Sequence, residues 1–184
     1  MNFEAYLKYF EHVLQDPSVD PTYQNEEYYN YTKLNWSRMT RWLKKFEPSQ
    51  AAKNFISSID SPQTWIIITE PWCGDAAHSV PQLYNLAKQN PLITVDVQLR
   101  DSEPFLINDY LTNGGKSIPK LIIRDANNND IAVWGPRPDQ LQEAFLKLKE
   151  QGKDMGEIKE VVQKWYNVDK GIEIQKEILN LLSK

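Results

Sequence analysis

The stretch Trp65-Ile66-Ile67-Ile68-Thr69-Glu70-Pro71-Trp72-Cys73-Gly74-Asp75-Ala76 decides the fold. Its first five residues are apolar and largely β-branched, the pattern of a central strand covered on both faces. Past Glu70-Pro71 the periodicity becomes helical. A helix is predicted from about Cys73 to Lys88, with Val80, Leu83, Tyr84 and Ala87 facing inward. Pro81 should bend it, because proline removes a backbone hydrogen bond and clashes with the preceding turn. Cys73, the chain's single cysteine, therefore stands where a strand delivers its side chain to a helix start. Unpaired backbone N–H groups and the helix dipole favour a thiolate there.

Outward from this point, Leu92 to Leu99 alternates enough for a second strand, and Pro104 suits the first turn of a helix ending near Asn113-Gly114-Gly115. Pro119 to Arg124 and Ile131 to Trp134 flank the turn signal Asp125-Ala126-Asn127-Asn128-Asn129-Asp130 and read as a β-hairpin. Gly135-Pro136 ends that strand, and Leu141, Phe145 and Leu148 mark a helix after it. The order is strand, helix, strand, helix, hairpin, helix.

The flanks are helical. Phe3, Tyr6, Leu7, Phe10, Val13 and Leu14 form one stripe, broken at Asp16-Pro17-Ser18. After a polar, tyrosine-rich stretch, Trp36, Met39, Leu43 and Phe46 form another, closed by Glu47-Pro48. Ser49 is a candidate N-cap for a short helix carrying Ala52, Phe55 and Ile56. The C-terminal part adds amphipathic segments through Met155–Trp165 and Ile174–Leu182. With no repeat or low-complexity linker, residues 1–184 read as one domain: a core of about 60–150, an N-terminal helical extension 1–59 and a C-terminal helical extension 151–184.

Composition narrows the function classes. Twenty-one Lys and Arg against 25 Asp and Glu give a formal net charge of −4, with no general pull toward nucleic acid or an anionic membrane. The start of the chain has no signal-peptide pattern, and no apolar stretch is long enough for a membrane span. One cysteine excludes an internal disulfide framework and suits a reducing, cytoplasmic setting. His12 and His78 beside it are too few for a His/Cys zinc site, so no metal is expected.

Four markers in order resemble the thioredoxin superfamily: Trp72-Cys73-Gly74 opening the first helix, Pro81 within it, Ser117-Ile118-Pro119 before the hairpin, and Val133-Trp134-Gly135 at the end of its second strand. The resemblance covers about residues 60–150. It implies an α/β thioredoxin-like sandwich with a central mixed sheet of about four strands and helical extensions at both termini. It also implies a cis Ile118-Pro119 bond whose backbone faces Cys73 and pairs with a peptide or with glutathione, in the manner of an added strand.

Two departures matter. Ala76 stands where the family's resolving cysteine falls, and Ile67 where thioredoxins keep a buried carboxylate that assists that cysteine. Self-contained dithiol–disulfide cycling does not fit. Cys73 instead suggests a single-cysteine thiol-redox protein. Its thiolate forms a mixed disulfide, or a sulfenic acid, that an external thiol such as glutathione resolves. Trp72, Gly74, Asp75, Ala76, Ile118 and Pro119 would shape the site, and Asp75 would temper the thiol's acidity, leaving it moderately activated. Partners would be protein or peptide thiols and disulfides, or glutathione; no bound cofactor is expected. The alternative is a non-catalytic binding or adaptor module using the groove beside Pro119, with Cys73 an inert small hydrophobe. A dedicated peroxidase fits less well, because Glu70 stands where peroxiredoxins carry Thr or Ser. A metal cluster shared with glutathione ranks last.

Three further features have plainer readings. His78 reads as a surface or partly buried histidine rather than a catalytic base, and Lys116 and Lys120 as solvated lysines. The basic and aromatic stretch Arg38–Lys45 reads as a core stripe with a solvated basic face.

Overall fold

The computed structural model describes residues 1–183. Four strands carry the fold: β1 (Gln63–Thr69), β2 (Ile93–Leu99), β3 (Lys120–Arg124) and β4 (Asp130–Trp134), in sheet order β2-β1-β3-β4. β1 and β2 run parallel, joined through helix α4 (Gly74–Ala87), while β3 is antiparallel to both β1 and β4. A parallel pair needs such a crossover, whereas β3 and β4 need only the Asp125–Asn129 turn. Asp125 accepts backbone N–H bonds from Asn127 and Asn129, closing that turn. The expected mixed sheet of four strands is present.

β1 lies second in the sheet, and Trp65, Ile66, Ile67 and Ile68 are all buried. That burial explains its unbroken apolar run, each isoleucine contributing about 1.5–3 kcal/mol on leaving water.

Among the described residues, seven helices surround the sheet. Besides α4 they are α1 (Phe3–Gln15), α2 (Glu26–Lys45), α3 (Gln50–Ser57), α5 (Asp139–Glu150), α6 (Met155–Asp169) and α7 (Ile172–Leu182). The tyrosine-rich stretch expected to separate two helices instead forms the first turns of α2, capped by Asn25, which accepts from the N–H groups of Glu27 and Tyr28. The N-terminal ammonium of Met1 reaches β2, pairing with Asp96 and donating to the Val97 carbonyl.

α4 departs most from an ordinary surface helix. All of its residues except Gly74 and Tyr84 are buried, polar ones included. One face rests on the sheet; α2, α3 and α7 pack against it, and α6 reaches it through Gln163 and Tyr166. The extensions at both ends of the chain therefore cover this helix. α4 runs continuously through Pro81.

The helix expected after Pro104 is absent. Phe105 takes a left-handed conformation (φ 54°), which an α-helix cannot continue through, and only a 3-10 turn over Leu106–Asp109 follows. Of the apolar residues there, Ile107 alone is buried, so no helical stripe exists to pack.

Gly135 ends β4 at φ 109°, and a Cβ there would lie 2.3 Å from the Pro119 carbonyl oxygen. Glycine is thus required twice over at the close approach of the two loops. Ile67 tests the sheet core. Ile67→Ala should cost about 2–5 kcal/mol in urea unfolding with an unchanged m-value. A loss under about 1 kcal/mol would remove Ile67 from the packed core.

Candidate functional site

The turn Glu70-Pro71-Trp72-Cys73 closes with the Cys73 N–H donating to the Glu70 carbonyl (3.1 Å), and Cys73 then serves as the N-cap residue of α4. Opposite it lies the loop before β3, where the Ile118-Pro119 peptide bond is cis. The Cys73 thiol donates to the Ile118 carbonyl at 3.4 Å. The structure thus brings Trp72, Cys73, Gly74, Asp75 and Ile118 to the wall of one cleft of about 690 Å³. Ala76 and Pro119 are buried behind it.

Cys73 is 7% exposed. Burial and then the neighbouring Asp75 carboxylate push its thiol from 9.0 up to about 12, against the N–H groups of Ala76 and Asp75 and the Arg137 guanidinium. The expected moderately activated thiol is therefore not what the folded chain holds. The helix-start effect is present, but desolvation is larger.

Asp75 is buried and held from two sides. Arg137, from the loop after β4, pairs with it at 2.6 Å, and the Tyr166 hydroxyl of α6 donates to it at 3.1 Å. Burial still raises the Asp75 carboxyl above its ordinary range.

His78, expected at or near the surface, is 1% exposed. The Trp42 indole N–H donates to Nδ1 (2.8 Å), which leaves Nε2 protonated and donating to Gln163 Oε1 (3.0 Å). Tyr166 stacks on the ring at 4.4 Å. Burial lowers the His78 pKa from 6.5 to about 3, so it is neutral with both nitrogens committed. Lys120 is buried as well, its ammonium donating to Thr112 Oγ1 and the Gly135 carbonyl; it ties the hairpin to the loop before it. Lys116 is exposed at the cleft edge.

Arg38, Arg100 and Arg137 also line the cleft, and no motif in the sequence marks them as site residues. Arg38 is donated by the basic stretch of α2, where Met39 and Trp42 form the buried stripe as expected. It stands over the start of α4: its Nη1 would lie 3.9 Å from a Cβ at Gly74. Asn35 orients it, accepting from Arg38 (3.0 Å) while donating to the Pro71 carbonyl (3.0 Å). Arg100 lies 4.6 Å over the Trp72 ring. These residues come from separate elements, so no local spacing announces them.

Glu70 is the other buried acid. It accepts from the Asp101 N–H (3.1 Å), and burial raises its pKa from 4.5 to about 7. The folded chain thus prefers the protonated carboxyl. The stability this confers is complete below pH 4.5 and is lost as pH rises through about 7. Glu70→Gln should remove up to about 3 kcal/mol of that pH dependence, measured by urea unfolding across the window. Matching slopes in both proteins would show that Glu70 is equally solvated in the folded and unfolded chain.

Among solved structures, a protein of unknown function from Pseudomonas aeruginosa matches at 14% identity, TM-score 0.53, over 76% of this chain and 86% of its own. An HIV epitope-scaffold matches at 13% identity, TM-score 0.56, over 84% of this chain and 85% of its own. These likenesses concern the fold. No functionally curated protein matches the sequence. No helix among the described residues is long and apolar enough to cross a membrane. The thioredoxin family model matches residues 22–155, well over half of the chain and including α2. The chain belongs to the thioredoxin family.

Proposed function

We propose that this protein is a non-catalytic binding module of the thioredoxin family, whose cleft beside Pro119 holds a ligand while Cys73 stays protonated. The state of Cys73 carries this reading: a buried thiol, pushed up to about 12 and engaged with the Ile118 carbonyl. Burial at this depth disfavours the thiolate against that of an ordinary cysteine. Neither neighbouring candidate base helps. The His78 nitrogens are both committed, and the Asp75 carboxylate is paired with Arg137. We read residues 1–184 as one working unit, because the cleft draws on α2, the start of α4, the loop before β3 and α6 alike. A reducing, cytoplasmic setting suits a lone thiol kept in this way.

The second reading is a single-cysteine thiol-redox protein, favoured by one observation: Cys73 lines the cleft rather than the closed core. In it the Cys73 thiolate attacks a disulfide and releases one thiolate. An external thiol such as glutathione then resolves the mixed disulfide.

Brief exposure of the native protein to oxidised glutathione, read by intact mass, separates the two. Cys73 should stay unmodified while native and react once unfolded in urea. Rapid, stoichiometric and reductant-reversible modification of the native chain would establish the redox reading instead.

A further inference from the structure

The chain carries a net charge of −4, yet its cleft is cationic. Arg38, Arg100, Lys116, Arg137, Lys149 and Lys159 line it, against the carboxylates Glu27 and Asp75. Asp75 neutralises Arg137, and Asp101 neutralises Arg100 in a two-point contact. Arg38, Lys116, Lys149 and Lys159 make no salt bridge among the described residues. Arg38 is half-buried and bonded only to the Asn35 amide oxygen. Four cations around one open cleft repel one another, and a fold that keeps them together leaves a site for the opposite charge.

The aromatic side chains sharpen the ligand class. Lys159 lies 4.2 Å over the Tyr31 ring, Arg100 lies 4.6 Å over Trp72, and Arg137 lies 4.0 Å over Phe145. These ring faces already hold cations by attraction to their π electrons, so an incoming molecule meets charge before it meets a free stacking surface. The start of α4 adds a further positive element. No side chain caps it, and no side chain but the Arg38 guanidinium comes within 4 Å of where a Gly74 Cβ would be. A volume of about 690 Å³, walled by α2, α5 and α6, suits a small molecule.

We infer that the cleft above Cys73 binds a small polyanion, one carrying two or three carboxylate or phosphate groups, held by Arg38, Lys116, Lys149 and Lys159. This deepens the binding-module reading by naming the ligand class. The overall negative charge of the chain makes such affinity a property of the cleft rather than of the surface at large.

Calorimetric titration of the full chain with citrate and with sodium tripolyphosphate tests it, at low and at physiological salt. Saturable one-to-one binding of at least one probe is expected, weaker at the higher salt. The tighter probe shows whether carboxylate or phosphate is the group held. Lys116→Glu with Lys149→Glu, both exposed and remote from the core, should weaken it at least about tenfold, equivalent to about 1.4 kcal/mol. Lys45→Glu with Lys170→Glu, in the separate basic depression beside Trp42, should leave it unchanged. Absence of saturable binding at low salt, or equal losses from both double variants, overturns the inference. Rapid reaction with oxidised glutathione alongside charge-dependent binding would remove the binding-module reading and keep the polyanion site. An inert thiol with a flat titration would do the reverse.

Discussion

The buried pair between Asp75 and Arg137, 2.6 Å apart, is the constraint on which the site depends. It joins the first turn of α4 to the loop after β4, and the Tyr166 hydroxyl extends the junction to α6. Two ions out of water are costly unless each is well partnered, so removing one partner alone leaves the other stranded. That cost fixes where the loop, the helix start and α6 meet. It also bears on the chemistry two residues away: burial first, and then this carboxylate, raise the Cys73 thiol, while the Arg137 guanidinium opposes them. The junction that organises the cleft thus adds its carboxylate to the burial that quiets the cysteine.

His78 does for the flanking helices what Asp75 does for the loops. A neutral imidazole inside an all-round buried helix has two polar atoms to satisfy, and here α2 satisfies one through Trp42 and α6 the other through Gln163. Both partners are needed, since an unpartnered buried nitrogen costs about 1–3 kcal/mol. The extensions are therefore bonded to the central helix through polar contacts as well as apolar packing. Ser79 meets the Tyr166 hydroxyl of α6, and the Asn85 amide donates to the Phe46 carbonyl at the end of α2, so two more buried polar residues of α4 are bonded to the flanking helices.

The parts of the fold legible in the sequence were those written locally. Trp65 to Thr69 announced a covered strand by its unbroken apolar run, and Asp125 to Asp130 announced a hairpin by its turn residues. The segment after Pro104 was misread as a helix, because a helix-starting proline says nothing about Phe105 turning left-handed one residue later. The helix-start position of Cys73 was legible too, but its acidity was not. Asp75 was visible as a neighbour, whereas Arg137 and Tyr166 lie 62 and 91 positions further along the chain, and the depth of burial is set by the whole packed environment. Desolvation is a property of everything packed around a group, and no local window holds it.

The same reasoning explains why the cleft's charge escaped a reading of composition. Net charge counts groups without asking which are paired. Of the six cations around the cleft, two are cancelled by carboxylates, one of them buried, and four are not. Arg38 shows how this arises. On the helical stripe of α2 it looks like one more solvated base beside Met39 and Trp42, and only the Asn35 bridge to the Pro71 carbonyl turns it toward Gly74. In the fold's usual arrangement a reactive thiolate supplies the negative charge at this helix start. Here burial pushes the thiol up, so the positive field of Arg38 and the α4 N-terminus faces the cleft without that thiolate to oppose it, as the proposed polyanion site requires.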